Sequence, residues 1–507
     1  MAEEGIKAQQ ASNKTIWTYG FGSISVGIKN NLLGTWLLIY YNQVLGLDAI
    51  LVSGAIAIAL VVDAISDPFV GIWSDRVRSR WGRRHPFMYA SIIPFSLCYY
   101  LILQDPGEIS DSQMFTRLLI LMILMRVAMT FYEVPRAALV PELSKDYDQR
   151  NNFSGVGMAL GWLGGAGISF IHMEYFLGDS YFNASGYQSL AFWGGIGIFI
   201  STAVTSVGTH KHIPDLHVPP ERSFHIPTFL KEAKETLSNK AWIVLFLSGC
   251  IYSLLVGVDT GAVTYYSAYL WQWQPNEISV FSLWQAISVI CIALLAPMIA
   301  YGRSKKKIAV GIFLTTIFIG PLPIILRLLE PVVGMPLMPV NGSDALWWIL
   351  LLHSCFAVTL GSLGFIFIGS MAMEIVEDVE KTTGRREEGL LGTVNAFIHK
   401  LVGAGGVLIA GLIVSWAGFD DPNATQEMLN GEIVNRFAFV HVVLGLCLPI
   451  FSTLLVLMFD IVMVIVKVSS SESIYVSSFF KKIMIFEIGL TIIIIYSWVP
   501  YFSAVFS

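Results

Sequence analysis

Two aspartates four residues apart, Asp63 and Asp67, sit with Ser66 inside the apolar run LVSGAIAIALVVDAISDPFVGIWSDR. At that spacing both carboxylates leave one face of a helix. Two carboxylates and a hydroxyl are hard oxygen ligands that suit Na⁺, and they equally suit a proton, because neighbouring carboxylates repel and a shared proton relieves the repulsion. The competing assignment is that the pair neutralises arginines of a neighbouring helix. A second run, MRVAMTFYEVPRAALVPEL, carries Arg126, Thr130, Glu133 and Arg136, of which the last three step by three and share a face. In one assignment Thr130 completes the cation site while Glu133 and Arg136 face a solute cavity; in the other, Glu133 and Arg136 form an internal ion pair. Lys29, Asp259 and Lys400 are the remaining deep charges. Lys29 with Asn30 and Asn31 suits a carboxylate, a phosphate or a sugar hydroxyl, or else Lys29 pairs with Asp259.

These charges are informative because of what surrounds them. Of 507 residues 55% are hydrophobic and only 13% charged, with a net charge of −5, against roughly 25% charged in soluble globular proteins. That excludes a soluble enzyme, a disordered chain and a nucleic-acid binder, and leaves the lipid bilayer as the chain's main partner. An ionised group at the bilayer centre costs roughly 2.5–3.5 kcal/mol, so each one in an apolar run is a functional candidate. There is no HExxH, GxSxG or Walker lysine loop, and Cys98, Cys250, Cys291, Cys355 and Cys447 lie far apart with no CxxC pair. No enzyme, no cofactor and no resident metal are expected beyond a transported Na⁺. His172, His353, His399 and His441 are scattered and read as histidines satisfied inside the bundle.

Apolar runs near 15–41, 48–74, 86–104, 115–140, 153–176, 189–209, 241–271, 277–301, 307–328, 345–372, 388–417 and 436–466 predict twelve transmembrane helices. Lys and Arg crowd the alternate connections, while those at 42–47, 105–114, 177–188, 272–276, 329–344 and 418–435 have none. The excess places the N-terminus in the cytoplasm. The longest polar stretch, 210–240, divides the spans six and six, and Glu142-Leu-Ser-Lys-Asp146 is echoed by Glu374-Ile-Val-Glu-Asp378 at an offset of 232. The organisation is therefore a cytoplasmic tail 1–14, a six-helix half 15–209, a linker 210–240, a second half 241–466, and a tail 467–507 with an apolar segment, 483–506, that is a candidate thirteenth span. Charges at the span ends suggest a cytoplasmic gate. Asp75, Glu142 and Asp146 are expected to pair with Arg76, Arg83, Arg84 or Arg150, and Glu374 and Asp378 with Arg385 or Arg386, in the outward-facing state, and to separate in the inward-facing one. Gly157, Gly161, Gly165 and Gly167 line one run at a spacing that lets helices approach closely. Tyr265, Tyr266, Tyr269 and Trp271 suit stacking on a sugar ring, or the core and the interfacial belt.

The run Asp63-Ala-Ile-Ser-Asp-Pro-Phe-Val-Gly71, Ser74-Asp75-Arg76 and Ser79-Arg-Trp-Gly-Arg-Arg-His-Pro86 resembles the glycoside, pentoside and hexuronide cation symporters, the melibiose-carrier branch of the major facilitator superfamily. Leu139-Val-Pro-Glu-Leu143, Thr383-Gly-Arg-Arg-Glu-Glu-Gly389 and Lys400 before a glycine-rich stretch extend the likeness over about residues 15–455. The resemblance implies an all-α membrane protein with the superfamily fold, working by alternating access as a monomer, that couples a sugar or related small polar solute to Na⁺ or H⁺. It implies cation roles for Asp63, Ser66, Asp67 and Thr130, Ser66 standing where the melibiose carrier has Asn. It also matches Lys400 to the family's helix 11 lysine and places Glu133 where a sugar-binding Asp would be. Gly27, Gly157 and Ala137 stand where that carrier has a sugar Asp, Arg and Trp. The cation machinery looks retained and the sugar machinery rewritten, and an amphiphile carrier of the same superfamily, or a receptor that transports nothing, are the alternatives.

Overall fold

The structure is a computed structural model that describes residues 11–144, 146–213, 240–300, 305–383 and 388–467. The described residues are helical with no strand. The N-terminal half begins with α1 (Asn13–Phe21) and α2 (Ser23–Asn31), which continue through π turns at Leu32–Trp36 and Tyr40–Val44. It goes on with α3 (Ala49–Arg76), α4 (His85–Ile102), α5 (Asp111–Leu143), α6 (Tyr147–Ile171) and α7 (Ala184–His210). The second half contains α8 (Lys240–Val258), α9 (Ser279–Ala300), α10 (Lys305–Ile319) and α11 (Leu322–Val333), then α12 (Asp344–Thr383), α13 (Glu388–Ala417) and α14 (Val434–Lys467). Among the described residues nine helical stretches are long and apolar enough to cross a membrane. The other three predicted spans are helical as well: 15–41 is interrupted by the π turn, 307–328 breaks between α10 and α11, and 86–104 is α4. Most of the linker 210–240, Arg385 and Arg386, and the tail with 483–506 lie outside the described residues, as do the side chains of Glu374 and Asp378.

Local sequence sets these elements. A reciprocal box between Ser110 and Gln113 opens α5, where the first turn would leave backbone donors unpaired. Glycine decides how close the helices come. A Cβ at Gly27 on α2 would lie 2.0 Å from the Gly161 carbonyl and 2.6 Å from the Gly165 nitrogen of α6, so this crossing requires hydrogen at that position. The second half repeats the device, with a Cβ at Gly257 only 2.4 Å from the Gly403 carbonyl of α13. The π turns at Tyr40–Val44 and Tyr266–Leu270 repeat as well, at the same depth of the first span of each half. Two equivalent bundles therefore pack face to face, α3 along α13 and α6 along α9.

Candidate functional site: a charge cluster beside a central cavity

Asp63 and Asp67 do share a face of α3, and α5 and α13 meet it. Asp63 is fully buried; its Oδ2 lies 3.3 Å from Arg126 Nη1 and 2.9 Å from Lys400 Nζ. Lys400 Nζ also lies 2.5 Å from Asp67 Oδ2, so one ammonium from α13 sits between two carboxylates of α3. Thr130 Oγ1 is 3.0 Å from Asp63 Oδ1 and 3.1 Å from Asp67 Oδ1, within 3.1 Å of the Arg126 carbonyl, and 3.1 Å from Ser66 Oγ. A hydroxyl has one proton to give. Around Thr130 there are thus more acceptor oxygens than donors, the arrangement a cation satisfies. Pro68 follows Asp67 inside the helix and removes the N–H that would otherwise bond the Ala64 carbonyl. The aspartates thus gather hydroxyl oxygens around them, and Arg126 lies at ion-pair distance from Asp63.

The other deep charges pair differently from expectation. Lys29 does not bond Asp259; its Nζ is 3.1 Å from Glu133 Oε1, joining α2 to α5. Asp259 instead lies 2.9 Å from His441 Nε2, and His441 Nδ1 is 2.8 Å from the Tyr266 hydroxyl. The internal Glu133–Arg136 pair is absent: Arg136 Nη2 donates to the Tyr19 carbonyl at 3.0 Å and to Ser23 Oγ at 2.7 Å. The reason is azimuth, since the shared face of α5 is wide enough for Glu133 to turn to α2 and Arg136 to α1. Lys400, expected at the solute, instead contacts Asp63 and Asp67 and does not border the cavity. The histidines are satisfied only in part. His172 is fully buried among Trp36 and Tyr187, with ring centroids at 4.8 and 5.0 Å, and neither nitrogen has a protein partner.

A cavity of about 1110 Å³ lies between the halves. Asn30, Glu133 and Arg136 border it; Lys29, Asp259 and Lys400 do not. Its walls run from Trp271, Trp273 and Ile278 at one end to Tyr19, Phe153 and Ser154, in the second turns of α1 and α6, at the other. Tyr266 and Trp271 border it, whereas Tyr265 and Tyr269 are buried elsewhere.

Tyr265 and Tyr269 belong to a seal at the face whose loops lack Lys and Arg. There Tyr265 donates to Asn42 Oδ1 at 2.8 Å and Tyr269 to Gln43 Oε1 at 2.6 Å. Asp420 accepts from Asn42 Nδ2 at 2.6 Å and from the Ala49 N–H that opens α3, at 3.2 and 3.4 Å. Deeper in, Gly261 N–H donates to the Gly34 carbonyl at 2.8 Å, Thr264 to the Thr35 carbonyl at 2.9 Å, and Ser282 to the Ala166 carbonyl at 3.2 Å. A Cβ at Gly411 would lie 1.9 Å from Ser53 Oγ, so α13 and α3 touch here. The sequence offered no signal for Asn42, Gln43 or Asp420 beyond their place in loops without basic residues.

At the opposite, basic face the predicted charges do meet. Arg84 Nη2 is 2.5 Å and Arg83 Nη1 3.9 Å from Asp75 Oδ1, and Glu142 Oε1 accepts from Arg83 at 2.5 Å and from Arg84 at 3.5 Å. Every partner belongs to the N-terminal half, so these pairs tie the α3–α4 connection to the end of α5 and do not join the halves. Arg76 is exposed, and Arg150 Nε donates to the Ser144 carbonyl at 2.8 Å instead of to an acid. Asp146 sits in the short connection between α5 and α6 beside Arg150, its N–H bonding Ser144 Oγ.

Two pseudo-equivalent helical halves, a central cavity and a charge cluster on the helices around it define a membrane transporter of the major facilitator type. Residues 18–463 match the family described as MFS/sugar transport protein, and the chain belongs to that family. It is 25% identical over 433 residues to the isoprimeverose transporter of Lactiplantibacillus pentosus, covering 84% of this chain and 85% of that one. To the inner membrane symporter YicJ of Escherichia coli it is 23% identical over 438 residues, covering 85% and 88%. Among solved structures, a bacterial homologue of the human drug peptide transporters PepT1 and PepT2 superposes with a TM-score of 0.60 at 13% identity, over 89% of this chain and 97% of that one, a likeness of fold.

Proposed function

We propose that the protein is a secondary transporter that moves a sugar or related small polar solute together with Na⁺ or H⁺ by alternating access. The observation that carries it is the ammonium of Lys400 lodged between Asp63 and Asp67, 2.9 and 2.5 Å from their oxygens. A transported cation and Lys400 compete for the same oxygens, so cation entry frees the lysine and shifts the α3–α13 contact between the halves. Ser66 and Thr130 supply the remaining oxygens. Thr130, Glu133 and Arg136 lie on one face of α5, which makes that helix the link between the cation and a solute beside Asn30, Glu133 and Arg136. Names carried by relatives as sugar transporter and symporter favour the same reading.

The excess of Lys and Arg supports a cytoplasmic basic face, and hence a cytoplasmic N-terminus. The seal then lies outside and the structure is inward-facing, with Lys400 seated between Asp63 and Asp67. In that state Asp75, Arg83, Arg84 and Glu142 remain paired, so a gate that opens by breaking them is not favoured. The test is uptake into proteoliposomes of labelled pentosides, hexosides and uronides under imposed Na⁺ or H⁺ gradients. Accumulation that requires one gradient and is lost in Asp63→Asn supports the proposal; equilibration of every solute without dependence on either gradient overturns it.

A further inference from the structure

Three histidines meet at the basic face, away from the cavity and the charge cluster: His85, the first residue of α4, and His210 and His212, where α7 runs into the linker. His85 lies just outside the predicted span 86–104 and is fully buried. Its tautomer follows from its partner. Thr209 gives its one hydroxyl proton to the Thr205 carbonyl at 2.7 Å, so toward His85 Nε2, at 3.0 Å, it accepts. The proton of neutral His85 is therefore on Nε2, and Nδ1 is a bare lone pair with no hydrogen-bond partner among the described residues. The opposite tautomer would bury an N–H without an acceptor. The ring meets His210 edge-on at 5.6 Å, and His210 Nδ1 lies 2.9 Å from the Tyr89 hydroxyl of α4, itself 3.2 Å from the Ser206 carbonyl of α7. His212 Nε2 is 3.0 Å from Thr15 Oγ1 at the start of α1. Gly82, at φ +70°, packs the α3–α4 connection on Ile213, which a Cβ there would meet at 3.1 Å.

We propose that His85, His210 and His212 form an acid-sensitive latch, which holds the end of α7 and the root of the linker against the start of α4 while the rings are neutral, and releases them on protonation. The latch goes beyond the transporter reading and does not depend on it. A proton taken up by His85 adds an N–H at Nδ1, buried, with no acceptor among the described residues and 5.6 Å from a second imidazole. His85 also opens a helix, the end at which positive charge is disfavoured. The surrounding charges give no relief. Arg83 and Arg84 of the α3–α4 connection are held by Asp75 of α3 and Glu142 of α5, Lys211 after α7 and Lys14 on α1 are exposed, and no carboxylate bears on the ring. Burial, then His210 and His212, push His85 from its ordinary 6.5 down to about 4. The latched state therefore binds fewer protons than the open one, so the latch has its full strength above about pH 6.5 and weakens as pH falls toward 4.

The experiment is amide hydrogen exchange of the full-length protein in lipid nanodiscs, with rates rescaled for the intrinsic pH dependence of the chemistry. It compares the two ends of one helix, residues 203–212 at the latch and 184–192 at the far end of α7. At the latch the ratio of open to closed molecules should rise about tenfold from about pH 7.5 to 5.5 and about 30-fold by pH 5, as one group moved from 6.5 to about 4 requires. The far end should change by less than about threefold, because local opening there does not involve His85. His85→Gln keeps a donor for Thr209 and takes no proton, so its latch end should also stay within about threefold over the same range. The comparison of the two ends in the unmodified protein holds even where that variant does not fold. An equal response at both ends, no response between about pH 7.5 and 5, or an undiminished response in His85→Gln overturns the proposal. Neither a solute nor a gradient is needed, so the result is separate from that of the uptake assay.

Discussion

Asp420 offers the most direct test of the seal. Its carboxylate takes hydrogen bonds from Asn42 Nδ2 and from the first N–H of α3, both in the other half, so the bonds exist only while that face is closed. Hydrogen bonds to a charged group contribute about 1.5–3 kcal/mol net, and a helix cap about 1 kcal/mol. The Asn42 amide keeps a bond to the Leu47 carbonyl at 3.1 Å, so the loss is not the sum. Asp420→Ala should therefore destabilise the sealed state by about 2–3 kcal/mol, which raises the ratio of open to sealed molecules roughly 30- to 160-fold. The variant should fold, because Asp420 is partly exposed and makes these bonds between halves, not within one. The readout is the labelling rate of a single cysteine at Thr35, a cavity residue beneath the seal, in a background free of the five native cysteines, with a membrane-impermeant thiol reagent applied from the sealed face. Labelling should accelerate in proportion to the open fraction, and Asp420→Asn should lie between. An unchanged rate in both variants would refute the argument that these bonds set the equilibrium between states.

Asp63→Asn and Asp67→Asn should each abolish gradient-driven accumulation while leaving solute exchange measurable; uphill uptake at the normal rate in both would remove the cation site. Lys400→Gln deletes the ammonium that competes for the aspartates, so the concentration of Na⁺ or protons giving half-maximal binding should fall roughly tenfold or more, with net accumulation reduced; ion titration of the variant checks this. Gly27→Ala should lower the melting temperature by forcing α2 away from α6, at about 1–3 kcal/mol, whereas Gly157→Ala should be mild. Burial, then the carboxylates of Asp420 and Asp111, push the Asp48 carboxyl above its ordinary value. Repulsion toward Asp420 is therefore present above that raised value and is relieved as pH falls through it. Thr35 labelling should slow on mild acidification, and Asp48→Asn should flatten that dependence.

The helical membrane fold was legible because hydropathy acts at the scale of whole helices, and among the described residues nine helical stretches are long and apolar enough to cross a membrane. Asp63, Ser66, Asp67 and Thr130 were legible for a related reason: intervals of three and four fix a face, and a carboxylate pair in an apolar run has few structural uses. What a face meets is another matter. Lys400 lies 333 residues from Asp67, and nothing in its surroundings says that α13 turns it toward α3 instead of the cavity. The same limit produced the wrong partner for Lys29. Charge complementarity narrows the choice to acids at similar depth, and Asp259 and Glu133 qualified equally until the packing of α2 on α5 was known.

Gly27 carries that limit into function. From sequence it is a missing carboxylate, and beside the three candidate cations Lys29, Arg136 and Lys400 it leaves open whether the acids Glu133 and Asp259 or an anionic solute neutralise them. The α2–α6 crossing leaves no space at position 27 for any side chain, so the loss there is a steric fact about two helices before it is a chemical one about a ligand. Once Glu133 is seen to hold Lys29, and the aspartates to hold Lys400, the surplus falls from three cations to one. That remaining cation stands on α5, six residues or about one and two-thirds turns beyond the threonine that bridges the aspartates. A solute beside Arg136 and a coupling cation at Thr130 would then act on the same helix. Their binding would be mutually favourable through α5, and coupling would weaken if either Arg136 or Thr130 were replaced.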